Sequence, residues 1–183
     1  MTPDSIRGVF IMLDQRILVA YASHTGSTEE AVGTALQEHG ARVDVHPVQD
    51  VTTLKPYRTV LVGSAIHAAK WLPEAAEFVK RHTTELEQLP LSYFLVCATF
   101  REDTAEHHRE VLAYLDPVRV LLEPLEIGLF AGRLDASRLP LLERMLVKAM
   151  KSGEGDWRDW EAIHDWAGGV WEHLEHGEGE AVA

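Results

Sequence analysis

Between Tyr21 and Gly33 the chain reads YASHTGSTEEAVG, and Ser23, Thr25, Ser27 and Thr28 set four hydroxyls around Gly26. Capping a helix takes only one such oxygen, which accepts from a free backbone N–H of the first turn. The surplus suits an anion. The stretch follows the apolar run Ile17–Tyr21 and precedes a helical pattern, so it occupies a strand-to-helix junction. Free N–H groups and the positive end of the helix dipole favour a negative ligand there.

Spelling narrows the ligand. A Walker A loop requires G-x-x-x-x-G-K-[ST], and no lysine occurs between Ile17 and Val51. The dinucleotide fingerprint G-x-G-x-x-G is also missing, because Gly26 is the lone glycine of the turn. A loop without Lys or Arg fits a phosphomonoester held by neutral hydrogen bonds better than a triphosphate. The plainer alternative is that Thr25 or Ser27 is an N-cap and the other hydroxyls are loop polarity.

Other chemistry is poorly supported. His107 with His108, and His173 with His176, have neither a Cys partner nor HExxH spacing, so no metal site is expected. VGSAIH lacks the second glycine of a serine-hydrolase elbow. Cys97 is the single cysteine, which precludes an internal disulfide and points to a buried thiol in a cytoplasmic protein. The net charge of −12, with acidic residues spread along the chain, argues against nucleic-acid binding. It would suit a basic partner protein.

The elements that position the loop follow from periodicity. Ile17–Tyr21 and Thr59–Gly63 are uniformly apolar, as strands buried on both faces of a parallel sheet are. Arg42–His46 alternates, as an edge strand does, and Tyr93–Ala98 and Ile127–Ala131 are the fourth and fifth strands. Helical spacing is expected after Thr28 up to Gly40, from Pro73, over Thr104–Leu115, over Leu141–Met150, and from Asp156 onward with Trp160 buried. Strands alternating with helices specify an α/β fold, an open parallel sheet with helices on both faces. Residues 1–14 read as an N-terminal extension, the first eleven of them ahead of a natural start at Met12, 15–175 as one domain, and 176–183 as a flexible tail. No apolar run approaches the roughly 18 residues of a membrane helix.

LVAYASHTGSTEE resembles the phosphate loop of flavodoxin-type FMN proteins. VLVGSAIHAAKWLPEAAEFVKRH, GLFAGRLDASRLPLLERMLVKAMK and EGDWRDWEAIHDWA are similar to segments of the flavodoxin-domain proteins related to menaquinone-dependent protoporphyrinogen IX dehydrogenase. The similarity extends over about residues 16–174. It implies a flavodoxin-like five-stranded sheet of order 2-1-3-4-5 and noncovalent FMN. By the same resemblance Ser23, His24, Thr25, Gly26, Ser27 and Thr28 hold the phosphate, and Ser64, Ala65, Ile66, His67, Ala68 and Trp71 lie along the flavin ring. Thr99, Phe100 and Arg101 face its pyrimidine edge. His67 as a proton donor and Arg101 as a cation beside the ring are the candidates for catalysis, each with an ordinary surface role as its alternative.

The implied activity is an FMN oxidoreductase passing electrons from an organic donor to a quinone or other acceptor. The alternatives are a flavodoxin-type carrier that docks to a redox partner protein, and a flavin-binding protein without turnover. One departure bears on the substrate. The long basic insertion characteristic of the quinone-dependent enzyme is not evident, and TFREDTAEHHREVLAYL is short and rich in acids. The Arg133–Lys151 segment, basic with interspersed leucines, could give peripheral membrane contact or simply pack on the sheet as an amphipathic helix.

Overall fold

A computed structural model describes residues 16–23, 28–67, 69–97, 104–134 and 155–177. In chain order the elements are β1 (Arg16–Ala22), α1 (Thr28–Glu38), β2 (Arg42–Pro47), β3 (Thr59–His67), β4 (Lys70–Trp71), α2 (Pro73–Arg81) and α3 (Thr83–Leu86). They continue as β5 (Leu91–Cys97), α4 (Ala105–Ala113), α5 (Asp116–Arg119), β6 (Glu126–Ala131), β7 (Arg133–Leu134), β8 (Gly155–Asp156) and α6 (Trp160–Gly177). The main sheet runs β2-β1-β3-β5-β6 with all four pairings parallel. This is the expected 2-1-3-4-5 order, with β4 attached as a short antiparallel partner of β3.

The uniformly apolar strands are interior because each residue along them meets a helix on one face or the other. Alternate side chains point to opposite faces. Leu18, Ala20, Val60, Val62, Tyr93 and Leu95 meet Phe78 and Val79 of α2, Val111 of α4 and Val118 of α5. Ile17, Val19, Leu61, Phe94 and Phe130 meet Val32 and Leu36 of α1 and Ile163, Ala167 and Val170 of α6. Burying each large aliphatic side chain contributes about 1.5–3 kcal/mol, which makes these two layers the main source of stability. At the edge, β2 keeps most residues partly exposed, as its alternation predicts.

Local signals fix several boundaries. Pro73 opens α2, where its missing N–H costs nothing. The Thr104 hydroxyl accepts from the His107 N–H at 3.2 Å and caps α4. Gly40, at φ 92°, lets the chain leave α1 in the left-handed conformation.

The final helix differs from expectation. It begins at Trp160 rather than Asp156, and Trp160 is 48 % exposed rather than buried. Asp156 instead pairs with Arg133 in the β7–β8 ribbon. Its Oδ1 accepts from the Arg158 N–H at 3.2 Å and from Arg158 Nε at 2.8 Å, an Asx-type turn that competes with helix. Asp159 is the true cap, accepting from the Ala162 N–H at 3.0 Å. Residues 1–14, residues 178–183 of the expected 176–183 tail and the helix expected over Leu141–Met150 lie outside the described residues, whereas His176 and Gly177 still belong to α6.

Candidate functional site

Helices α1 and α2 follow neighbouring strands β1 and β3 but pack on opposite faces of the sheet. The connections therefore diverge between the carboxyl ends of β1 and β3, which opens a crevice at the topological switch point. Ala22, Ser64, Leu95 and Leu129 form one register row across β1, β3, β5 and β6. Beyond that row β1 has ended, whereas β3 continues to His67, β5 to Cys97 and β6 to Ala131. The step forms a wall beside the loop that leads from β1 into α1.

Ser23 lies half-buried at the mouth of this crevice, and Thr28 is the first residue of α1. His24, Thr25, Gly26 and Ser27 lie between them, outside the described residues, as do Ala68, Thr99, Phe100 and Arg101. What is described is the frame. An eleven-residue helix points its N-terminus at the crevice, immediately after the hydroxyl-rich segment.

The second wall is a hairpin. Ile66 pairs with Trp71 and His67 with Lys70, and Ala69 takes a left-handed φ of 59° at the turn. Ala65 and Ile66 are half-buried and pack against the α2-side core. Ser64 has a structural role that its small size did not announce. It is 1 % exposed, its hydroxyl donates to the Ala65 carbonyl at 2.8 Å, and it accepts from the Leu72 N–H at 3.0 Å. That last bond ties the end of the hairpin to its base. Trp71 is buried, edge-on to Tyr93 with ring centroids 5.2 Å apart. Its indole N–H has no partner among the described residues and is the one polar atom the hairpin leaves unsatisfied there.

Ser64→Ala should strand the Leu72 N–H, a loss of about 1–3 kcal/mol for an unsatisfied buried donor. Urea denaturation would measure the loss. A variant as stable as the wild type would remove the hydroxyl from its place as the hairpin's tie.

Electrostatics at the crevice are mixed. Glu29 is 2 % exposed and Glu30 follows it, both in the first turn of α1, where the helix dipole favours acids. Burial first, and then Glu29, Glu30 and Asp50, raise the pKa of Tyr21 near the end of β1. A cation is held in the segment that precedes α6. Arg158 pairs bidentately with Asp156, which raises its pKa and keeps it charged, and Glu30 adds to that effect. Its guanidinium lies 4.9 Å from the Trp160 ring centroid. Trp157 donates its N–H to the Gly132 carbonyl at 3.3 Å, which fixes this group to the end of β6.

A phosphomonoester with a flat ring suits this arrangement. The N-terminus of α1 at the carboxyl end of β1 favours an anionic group such as a phosphate, and Ser64 and Ala65 are small residues near the end of β3. The described part of the site therefore fits FMN. Among the described residues there is no cluster of three or more metal-binding side chains, and no helix long and apolar enough to cross a membrane.

Comparison with known proteins agrees with the geometry. A family model described as a flavodoxin domain matches residues 18–160. A protoporphyrinogen IX dehydrogenase [quinone] of Leishmania major is 26% identical over 170 residues, which cover 83% of this chain and 73% of that protein. The protein of that name in Escherichia coli K12 is 25% identical over 172 residues, 83% of this chain and 92% of its own. Among solved structures, flavodoxin 1 from Bacillus cereus superposes with a TM-score of 0.55 at 13% identity, covering 87% of this chain and 99% of its own. A short-chain flavodoxin associated with a bacterial microcompartment also gives 0.55, at 12% identity over 86% of this chain and 97% of its own.

Proposed function

The chain belongs to the flavodoxin domain family, whose model spans residues 18–160, and from that membership we propose an FMN-dependent oxidoreductase that passes electrons from an organic donor to a quinone. The observation that carries this reading is the crevice between β1 and β3, with a helix N-terminus and a hydroxyl-rich, cation-free segment at its mouth. The relatives named protoporphyrinogen IX dehydrogenase [quinone] support the direction of the chemistry and suggest a porphyrinogen-like donor.

When bound, FMN supplies two-electron and one-electron transfer; the chain supplies placement. Ser23, His24, Thr25, Gly26, Ser27 and Thr28 hold the phosphate through hydroxyl and backbone N–H donors. The β3 end, from Ser64 through His67 and Ala68 to Trp71, would lie along the ring, with Ser64 and Trp71 supporting that wall from the core. Thr99, Phe100 and Arg101 would read the pyrimidine edge, and Arg101 would add positive charge there. His67 would be the candidate to hold or release a proton beside the ring, imidazole being the side chain whose charge changes near neutral pH. The work is cytoplasmic, and a quinone acceptor would bring peripheral contact with a membrane.

A second reading keeps the cofactor and removes the small-molecule substrate. The net charge of −12 suits an electron carrier that docks to a basic redox partner. One preparation separates the possibilities. The purified protein should be yellow, absorb near about 450 nm as flavoproteins do, and release FMN on denaturation. A colourless protein that does not take up added FMN would overturn the cofactor. Oxidation of protoporphyrinogen IX with menaquinone should then proceed catalytically. Reduction of a partner protein without such turnover would select the carrier.

A further inference from the structure

Of the four large apolar side chains left exposed among the described residues, three lie between Val120 and Leu125, where α5 leads into β6. Val120 is 85 % exposed, Leu125 58 % and Leu121 41 %. The sequence there, DPVRVLLEPLE, is more apolar than one buried face of a helical turn requires. Val118 and Leu122, one turn apart, take the core, and Val120 and Leu121 between them are left to solvent. Single exposed leucines are ordinary, whereas a cluster rimmed by charge is what a protein contact site presents.

The backbone that presents them is tied down. The Val120 N–H donates to the Asp116 carbonyl at 3.1 Å, and the Leu121 N–H to the Val118 carbonyl at 3.0 Å. The buried Tyr93 hydroxyl donates to the Leu122 carbonyl at 3.2 Å, and the Leu125 N–H to the Leu91 carbonyl at 2.8 Å. Pro117 and Pro124 fix two further φ angles. An apolar surface already ordered in this way loses little conformational entropy when it is covered. Its charge selects what covers it. Asp116, Glu123 and Glu126 flank the apolar side chains, against the single basic residue Arg119, whose Nε already bonds Glu123 at 3.1 Å. A second copy would bring like charges face to face, and an anionic lipid surface would be repelled in the same way.

We propose that Val120, Leu121 and Leu125 form a docking surface for an amphipathic basic helix of a partner protein, one that sets apolar anchors on this patch and Lys or Arg against its acidic rim. Strand β5 runs from Leu91, bonded to Leu125, to Cys97 ahead of the candidate flavin loop, a distance of about 20 Å. A helix docked here lies at the other end of the sheet from the flavin crevice and leaves it open. The surface does not depend on the donor and acceptor suggested above.

Calorimetric titration of the purified full-length protein with a synthetic amphipathic peptide of leucine and lysine tests this, with a leucine and glutamate peptide of the same pattern as control. The lysine peptide should bind one to one with a dissociation constant under about 100 μM, and the glutamate peptide should not bind. Hydrogen exchange should show protection of residues 116–126 on binding. V120S/L125S changes two exposed side chains and should weaken binding roughly tenfold or more, with the thermal midpoint retained. D116N/E123Q leaves the apolar patch in place and should weaken binding by a smaller factor while reducing its dependence on salt. Absence of binding to the wild type, or equal binding of the glutamate peptide, would overturn the proposal. Full affinity in V120S/L125S would also overturn it, by reducing the attraction to net charge alone. So would a dimer that V120S/L125S dissociates, which would make a second copy the occupant. Patch-dependent binding to vesicles of phosphatidylcholine and phosphatidylglycerol would overturn it in favour of a lipid surface.

Discussion

Replacing Thr25 and Ser27 together with alanine is expected to weaken FMN binding about a hundredfold. Each hydroxyl donating to a charged phosphate oxygen contributes about 1.5 kcal/mol or more, and every 1.4 kcal/mol is a factor of ten in affinity. Backbone N–H groups at the start of α1 survive the change, so binding should be reduced rather than abolished. The fluorescence of free FMN, lost on binding, gives the dissociation constant directly. Riboflavin, which has no phosphate, is the internal control: its affinity should be equal in wild type and variant. Stability gives the competing explanation its own readout. If either residue acts only as the cap of α1, the double variant should lose about 1 kcal/mol of stability and keep its FMN affinity. That pattern would remove the loop from the cofactor site.

How much was legible depended on how many faces an element buries. β1, β3, β5 and β6 announced themselves as short unbroken apolar runs because each is covered by helices on both sides. Their type and order then followed from the parallel-sheet rules, and the crevice from the order. Elements of two residues were illegible. β4, β7 and β8 are too short to display a period, and their pairing is decided by neighbours in space. The start of α6 was misplaced for a related reason. Asp156 has the chemistry of a cap, but its carboxylate is taken by Arg158, and Asp159 performs the task three residues later. Ser64 illustrates the limit for site residues. Composition identified it as small, whereas its contribution is one hydrogen bond to Leu72, and no sequence pattern encodes that partner.

Glycine 63 carries the other large effect: Gly63→Ala is expected to cost about 3 kcal/mol, at the upper end of overpacking penalties. Gly63 lies in register between Tyr21 of β1 and Phe94 of β5, in the middle of the sheet. A Cβ there would come within 2.0 Å of Phe94 Cζ and 2.2 Å of its Cε2. The ring cannot swing away toward β6. On that side Gly128 is itself filled by neighbours, with Phe130 Cζ 2.7 Å and a Trp166 ring atom 2.9 Å from where its Cβ would stand. Phe94, Phe130 and the α6 residue Trp166 thus form one aromatic layer, which fits because the positions on either side of Phe94, Gly63 on β3 and Gly128 on β6, lack side chains. Relief must come from a smaller residue at 94. Phe94→Leu alone should destabilise by leaving a void, yet G63A/F94L should be more stable than the sum of the two losses. Urea denaturation of the four proteins measures this coupling, and strict additivity would show that the ring does not occupy the space above Gly63. The consequence reaches the candidate site, because Ser64 is the next residue on β3 and ties down the β3–β4 hairpin. G63A should therefore also bind FMN more weakly, and the F94L second change should restore part of that affinity along with the stability.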